Sequence, residues 1–136
     1  MSDLQQTLSI IKPDAVERNL SEKIKTIFLK NNLVISNSKK LHITKEEAAD
    51  FYKVHQAKPF YDQLCSYLSS GPIEVLILEG NDAVKKNRDL MGATDPKNAK
   101  DGTIRKLYGI SIDKNSVHGS DSSENAKKEI SFFFKN

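Results

Sequence analysis

Three features of the 136-residue chain predict an α+β fold: short apolar runs in strand phase, apolar residues at helical spacing between them, and the order in which the two alternate. Leu8 to Ile11 reads as a first strand, stopped by Lys12-Pro13, with Pro13 suited to open a helix around Asp14 to Asn19. Ser21 to Lys30 places Ile24, Ile27 and Phe28 at helical spacing. Leu33 to Ile43 is the second strand, with Leu33, Ile35, Leu41 and Ile43 in one phase. Thr44 then caps a helix running through Tyr52, and Glu47 stands at the capping-box position. Ile73 to Leu78 is the third strand, followed by a helix from about Asp82 to Met91. Residues 93 to 117, with Pro96, Gly102 and Gly109, form a long, mostly irregular excursion. A final helix starts near Ser122, and Ser131 to Phe134 is expected to be the last strand. The order is βαββαβ with added helices and a long loop before the last helix. It is the split-βαβ arrangement of ferredoxin-like folds, a four-stranded antiparallel sheet.

The run Ile73 to Leu78 is almost unbroken in its apolar character. Alternate residues of an antiparallel strand would be exposed if helices covered only one face. Either another subunit covers the second face, or the chain's own segments do.

The length suits one domain over residues 1–136 that buries its own core without metals or disulfides. The single cysteine, Cys65, can form no internal bridge and fits packing on a helix in a reducing compartment. Met1 to Gln6 has neither the basic region nor the apolar run of a signal peptide, and no segment approaches the roughly 20 apolar residues of a membrane span. A cytoplasmic location without membrane contact is expected. The net charge of +3 is mild and mixed along the chain, so it does not argue for nucleic acid as the main ligand; it accommodates a small anion. No Gly-x-x-x-x-Gly-Lys-Ser/Thr or Gly-x-Gly-x-x-Gly loop occurs, so a phosphate cradle must come from side chains. Lys12, Arg88 and Arg105 are the candidates, since arginine offers a planar fork and lysine a point charge.

The segment Asn115-Ser116-Val117-His118-Gly119-Ser120-Asp121-Ser122 carries the most chemistry. It sets a histidine in a short polar loop before a helix that bears Glu129. One ring nitrogen can attack an electrophile while the other is held by a hydrogen bond. Asp121 is the expected N-cap, with Glu124 completing a capping box and pairing with Lys128. A helix N-terminus beside His118 favours phosphate there. Tyr52 and His55 share one helix face, and Phe60 after Pro59 is a natural stacking surface. His42, on a strand, is expected to be structural.

The whole octet resembles the active-site signature of the nucleoside diphosphate kinase family. Thr7-Leu8-Ser9-Ile10-Ile11-Lys12-Pro13-Asp14-Ala15, Phe51-Tyr52, Pro59-Phe60 and Ser70-Gly71-Pro72 resemble further family segments. So do Asn87 through Pro96 and Gly102-Thr103-Ile104-Arg105, in family order, from about Thr7 to Phe134. The resemblance implies ping-pong transfer of the terminal phosphoryl group of a nucleoside triphosphate, typically ATP, to a nucleoside diphosphate through phosphorylated His118. It implies that Glu129 fixes the tautomer, Ser120 steadies Glu129 or the leaving oxygen, and the Tyr52 hydroxyl points toward His118. Residues matching Lys12, Arg88, Thr94 and Arg105 surround the phosphates, and Lys12 and Asn115 reach the ribose. His55 matches a position near the phosphates that is histidine in part of the family. Phe60 and Ile112 sandwich the base, with Leu64 nearby; stacking reads a π-face, so every base is tolerated. Mg²⁺ is implied as a bridge between substrate phosphates, without a permanent protein site. A homo-oligomer, hexamer or tetramer built from dimers, is implied too.

Lys58, Asp101 and Leu107-Tyr108 depart from the family's usual arginine, proline and Asp-Phe. These departures bear on loop rigidity and subunit contacts more than on chemistry. A histidine phosphocarrier and a catalytically silent nucleotide-binding module are the alternatives. Phe60, Arg88, Thr94 and Asn115 weigh against the first, His118 with Glu129 against the second.

Overall fold

In the computed structural model, which describes residues 4–53, 56–59, 61–112 and 114–134, four strands form one antiparallel sheet in the order β2-β3-β1-β4. The strands are β1 (Leu4–Ile11), β2 (Val34–Leu41), β3 (Ile73–Asn81) and β4 (Val117–Gly119). The helices are α1 (Pro13–Glu17), α2 (Ser21–Lys30), α3 (Lys45–Phe51), α4 (Tyr61–Leu68), α5 (Ala83–Met91), α6 (Ile104–Tyr108) and α7 (Ser123–Phe133). The expected ferredoxin-like order holds, but its last strand is a different segment. Residues 131 to 133 are the end of α7, and Val117–Gly119 supplies the fourth strand. Phe132, Phe133 and Phe134 have strand propensity, yet Ile130, Phe133 and Phe134 at helical spacing pack into the core, and tertiary contact overrides propensity. β4 escaped notice because only Val117 in it is apolar and three residues show no period.

The continuous burial of β3 has an internal cause. Thr7, Ser9 and Ile11 of β1 point to one face, Leu8 and Ile10 to the other. On the first face Ile11, Leu76 and Leu78 pack with Ile24, Phe28 and Met91 of α2 and α5. On the second, Leu8, Ile10, Ile73 and Val75 pack with Ala48, Cys65, Leu68 and Phe133 of α3, α4 and α7. The chain's own helices therefore cover both faces, and β3 needs no other subunit for its burial. β2 is an edge strand, as β4 is at the other side, and is largely exposed, with an irregularity between Ile35 and Asn37 that breaks its single phase.

The capping box of Thr44 and Glu47 forms as expected, with hydrogen bonds of 2.9 and 3.0 Å. The start of α7 does not. Ser122 is the N-cap and accepts the Asn125 amide N–H at 3.1 Å, while Asp121 accepts from the Asn125 side chain at 2.6 Å. Both residues are good caps, and Ser122 wins because Asp121 is engaged one residue earlier. Glu124 and Lys128 keep their i,i+4 approach at 3.9 Å. The excursion after α5 is more ordered than expected: a 3₁₀ turn at Pro96–Asn98 and α6 interrupt it, each with a side-chain cap, Asp95 and Thr103. His42 is held by the Ser69 carbonyl at 2.7 Å, consistent with a structural role.

Candidate active site

His118 lies on β4, not in a loop, and pairs across the sheet with Ile10. That register turns its ring toward the second face, where Phe51 and Tyr52 at the end of α3 present their rings edge-on at 5.2 and 6.1 Å between centroids. Gly119 follows because α5 comes too close for anything larger. A Cβ there would lie 2.4 Å from Asn87 Nδ2 and 2.8 Å from Met91 Cε. His118 Nε2 and Glu129 Oε1 of α7 are 3.0 Å apart, and the Ser120 hydroxyl donates to the same oxygen at 2.9 Å. Ser120 is itself buried between strands, accepting the Leu8 N–H at 3.4 Å and donating its own N–H to the Leu8 carbonyl at 3.2 Å. A carboxylate accepts only, so Nε2 carries the hydrogen and Nδ1 keeps its lone pair.

Lys12, at the end of β1, is buried and donates through Nζ to Asn115 Oδ1 at 2.9 Å. Asn115 Nδ2 donates to the Thr94 carbonyl at 3.0 Å. Three predicted residues are thereby joined in one chain. Arg105, 9 % exposed, donates to the Gly92 carbonyl at 3.0 Å and to the Val117 carbonyl at 2.9 Å. It thus ties the C-cap of α5 to the strand that bears His118. Gly92 can take this cap because its φ of +85° is open to glycine. Burial, and then the nearby Arg88, lower the Arg105 guanidinium to about 10, which leaves it charged at neutral pH. Burial and then Glu129 raise the Tyr52 hydroxyl above its ordinary value, so it stays protonated and able to donate.

Two cavities open on this region. One, of about 540 Å³, is lined by Arg88, Thr94, Arg105 and Asp121; the other, of about 350 Å³, by Phe51, His118, Asp121 and Glu129. Asp121 belongs to both and marks where they meet. The sequence suggests only a helix cap for it, although its place directly after the His-Gly-Ser triplet is a signal for more. Arg88 and Thr94 are exposed, while Leu64 is half-buried against the second core and Ile112 is 56 % exposed. His55 and Phe60 lie outside the described residues. Among the described residues no group of three or more His, Cys, Asp or Glu is placed to hold a metal, and no helix is long and apolar enough to cross a membrane.

The family profile described as nucleoside diphosphate kinase matches residues 5–136. The chain belongs to the nucleoside diphosphate kinase family. It is 57% identical over 132 residues to the nucleoside diphosphate kinase of Campylobacter jejuni, covering 97% of this chain and 96% of that one. It is 56% identical over 131 residues to that of Nitratiruptor sp., covering 96% of each. The crystal structure of the Aquifex aeolicus nucleoside diphosphate kinase superposes with a TM-score of 0.96 at 39% identity, over 98% of this chain and 96% of that one. The apo enzyme from Encephalitozoon cuniculi gives 0.94 at 36% identity, over 97% and 90%. Family membership makes the chain a phosphotransferase of nucleotides, and these matches favour neither the phosphocarrier nor the silent binding module.

Proposed function

We propose that this chain moves the terminal phosphoryl group of a nucleoside triphosphate to a nucleoside diphosphate in two half-reactions, with His118 Nδ1 as the carrier. The single observation that carries the reading is the Ser120–Glu129–His118 relay, which holds Nε2 and leaves Nδ1 as the nucleophilic nitrogen. In the first half-reaction the Nδ1 lone pair forms a bond to the terminal phosphorus, the bond to the bridging oxygen breaks, and the nucleoside diphosphate leaves. In the second, an acceptor diphosphate takes the group back and the imidazole is restored. Glu129 stabilises the positive charge that builds on the ring, as the carboxylate does in a catalytic triad.

The transferring group spreads its negative charge, so cations and positioning provide most of the acceleration. Arg88, Thr94 and Arg105 surround the phosphates in this proposal; Lys12 serves both phosphate and ribose, Asn115 the ribose, and Tyr52 offers its proton beside His118. His55 stands near the phosphates, and Phe60, Ile112 and Leu64 hold the base. Asp121, one carboxylate on the common rim of both cavities, fits a cation held mainly by substrate phosphates and water. Mg²⁺ bound in that way neutralises phosphate charge. The exposed β2 edge supports a homo-oligomer built from dimers, which light scattering would test. A cytoplasmic location is supported by the lone, buried Cys65.

Incubation with γ-labelled ATP and no acceptor is expected to leave an acid-labile, base-stable label. His118→Ala is expected to abolish both label and transfer while leaving nucleotide binding in place. Label on a serine, or transfer surviving in the variant, would overturn the reading.

A further inference from the structure

Ser116 is a strained residue next to the chemistry. Its φ is +76°, and the Val117 N–H donates back to the Asn115 carbonyl at 2.9 Å, which makes the rare left-handed kind of γ-turn around it. A residue with a Cβ adopts this conformation only where its surroundings impose it. The imposing contact is visible. The Ser116 hydroxyl, fully buried, donates to Asp14 Oδ2 at 3.1 Å. Asp14 cannot yield, because the Tyr67 hydroxyl donates to its other oxygen and Arg18 Nη2 approaches Oδ2 at 3.3 Å. From the other side the Lys12 N–H donates to the Ser116 carbonyl at 2.8 Å.

The turn joins the two working parts of the site. Before it stands Asn115, bonded to Lys12 Nζ; after it comes Val117, whose carbonyl Arg105 holds, and then His118. A change of φ at Ser116 would therefore rotate the Lys12–Asn115 arm relative to the His118 ring. Asp14, on the first turn of α1 and buried beside Tyr67, has no role in the steps above.

We propose that Asp14, acting through the Ser116 hydroxyl, is a positioning residue for phosphoryl transfer: it holds the strained turn that keeps the nucleotide arm in register with His118. The inference rests on His118 being the phosphoryl acceptor and adds a second layer to that reading. Neither Asp14 nor Ser116 contacts substrate in it.

The test compares two phosphoryl donors on the wild-type protein and on variants of the turn. ATP must be held by the Lys12–Asn115 arm, whereas phosphoramidate is small and needs no such arm; Nδ1 displaces ammonia from it, and the leaving nitrogen takes up the proton. Ser116→Ala keeps a Cβ and loses the clamp. Its His118 labelling from saturating ATP is expected to slow at least about tenfold, since small misplacements carry large rate costs. Labelling from phosphoramidate is expected to stay within about twofold. Ser116→Gly adopts positive φ without a clamp and is expected to recover ATP-driven labelling to within about threefold of wild type. Asp14→Ala is expected to slow ATP-driven labelling in the Ser116 protein but, by non-additivity, far less in the Ser116→Gly protein.

Equal slowing with both donors, no slowing in Ser116→Ala, a glycine variant as slow as the alanine one, or an Asp14→Ala loss equal in both backgrounds would each overturn the inference alone. Failure of His118 to label in the wild-type protein overturns the inference together with the function it rests on.

Discussion

Arg105 and Arg88 line the same cavity, yet the fold treats them in opposite ways. Arg105 is buried and spends two of its N–H groups on the Gly92 and Val117 carbonyls. Arg88 is exposed at the outer end of α5. The contrast extends to the rest of the site. Lys12, Asn115, Ser120 and the His118–Glu129 pair lie inside a hydrogen-bonded lattice anchored in β1, β4 and α7. Ile112 lies outside it, exposed, and Thr94 joins it only through its backbone carbonyl while its side chain faces solvent. The inner half is organised before any ligand arrives, which suits groups that must meet developing charge without rearrangement. The outer half presents its side chains to solvent.

The two halves are expected to differ most at the two arginines. Arg105→Ala strips a donor from two backbone carbonyls and opens a cavity, so it is expected to lower stability by on the order of 2–4 kcal/mol as well as activity. Arg88→Ala is expected to change stability by no more than about 0.5 kcal/mol while weakening nucleotide binding. Thermal or denaturant unfolding beside ligand titration separates the two. Equal stability losses would mean that the inner and outer halves are not distinct.

Glu129→Gln sharpens the inner half. It preserves size and an acceptor oxygen but removes the charge that supports the imidazole. Phosphohistidine formation, followed by rapid mixing, is expected to slow roughly a hundredfold with nucleotide affinity nearly unchanged. An unaltered rate at full occupancy would reduce Glu129 to a member of the last helix.

Phe60→Ala tests the stacking that the proposed function assigns to this residue. It is expected to weaken binding of all nucleotides alike, by about 1–3 kcal/mol, as measured by calorimetry with a panel of bases. A loss confined to one base would show that an edge-on contact reads it.

The sequence displayed the inner half more fully than the outer. The octet around His118, with Glu129 and Lys12, named the groups that the fold then brought together. The α2, α3 and α5 helices were legible from spacing and caps, because amphipathic periods and Thr44–Glu47 are local signals. β4 was not. Its three residues owe their extended state to pairing with Ser9, Ile10 and Ile11, far away in the chain. The end of the last helix is not legible locally, because Phe132 and Phe133 favour strands but are claimed by the core. Asp121 looked like a cap and proved to line both cavities, a property of the surface that no spacing encodes. The Ser116 turn was equally hidden, since a serine gives no sign of positive φ.

With Glu129 holding Nε2 of His118, the phosphoryl group is expected on Nδ1. The two isomers of phosphohistidine differ in ³¹P chemical shift and in stability to hydrolysis, and the protein can be trapped with ATP in the absence of acceptor. The expected result is one phosphorylated residue, His118, bearing the group on Nδ1. A phosphoryl group on Nε2 would contradict the account, because that nitrogen would then have to leave Glu129 to react.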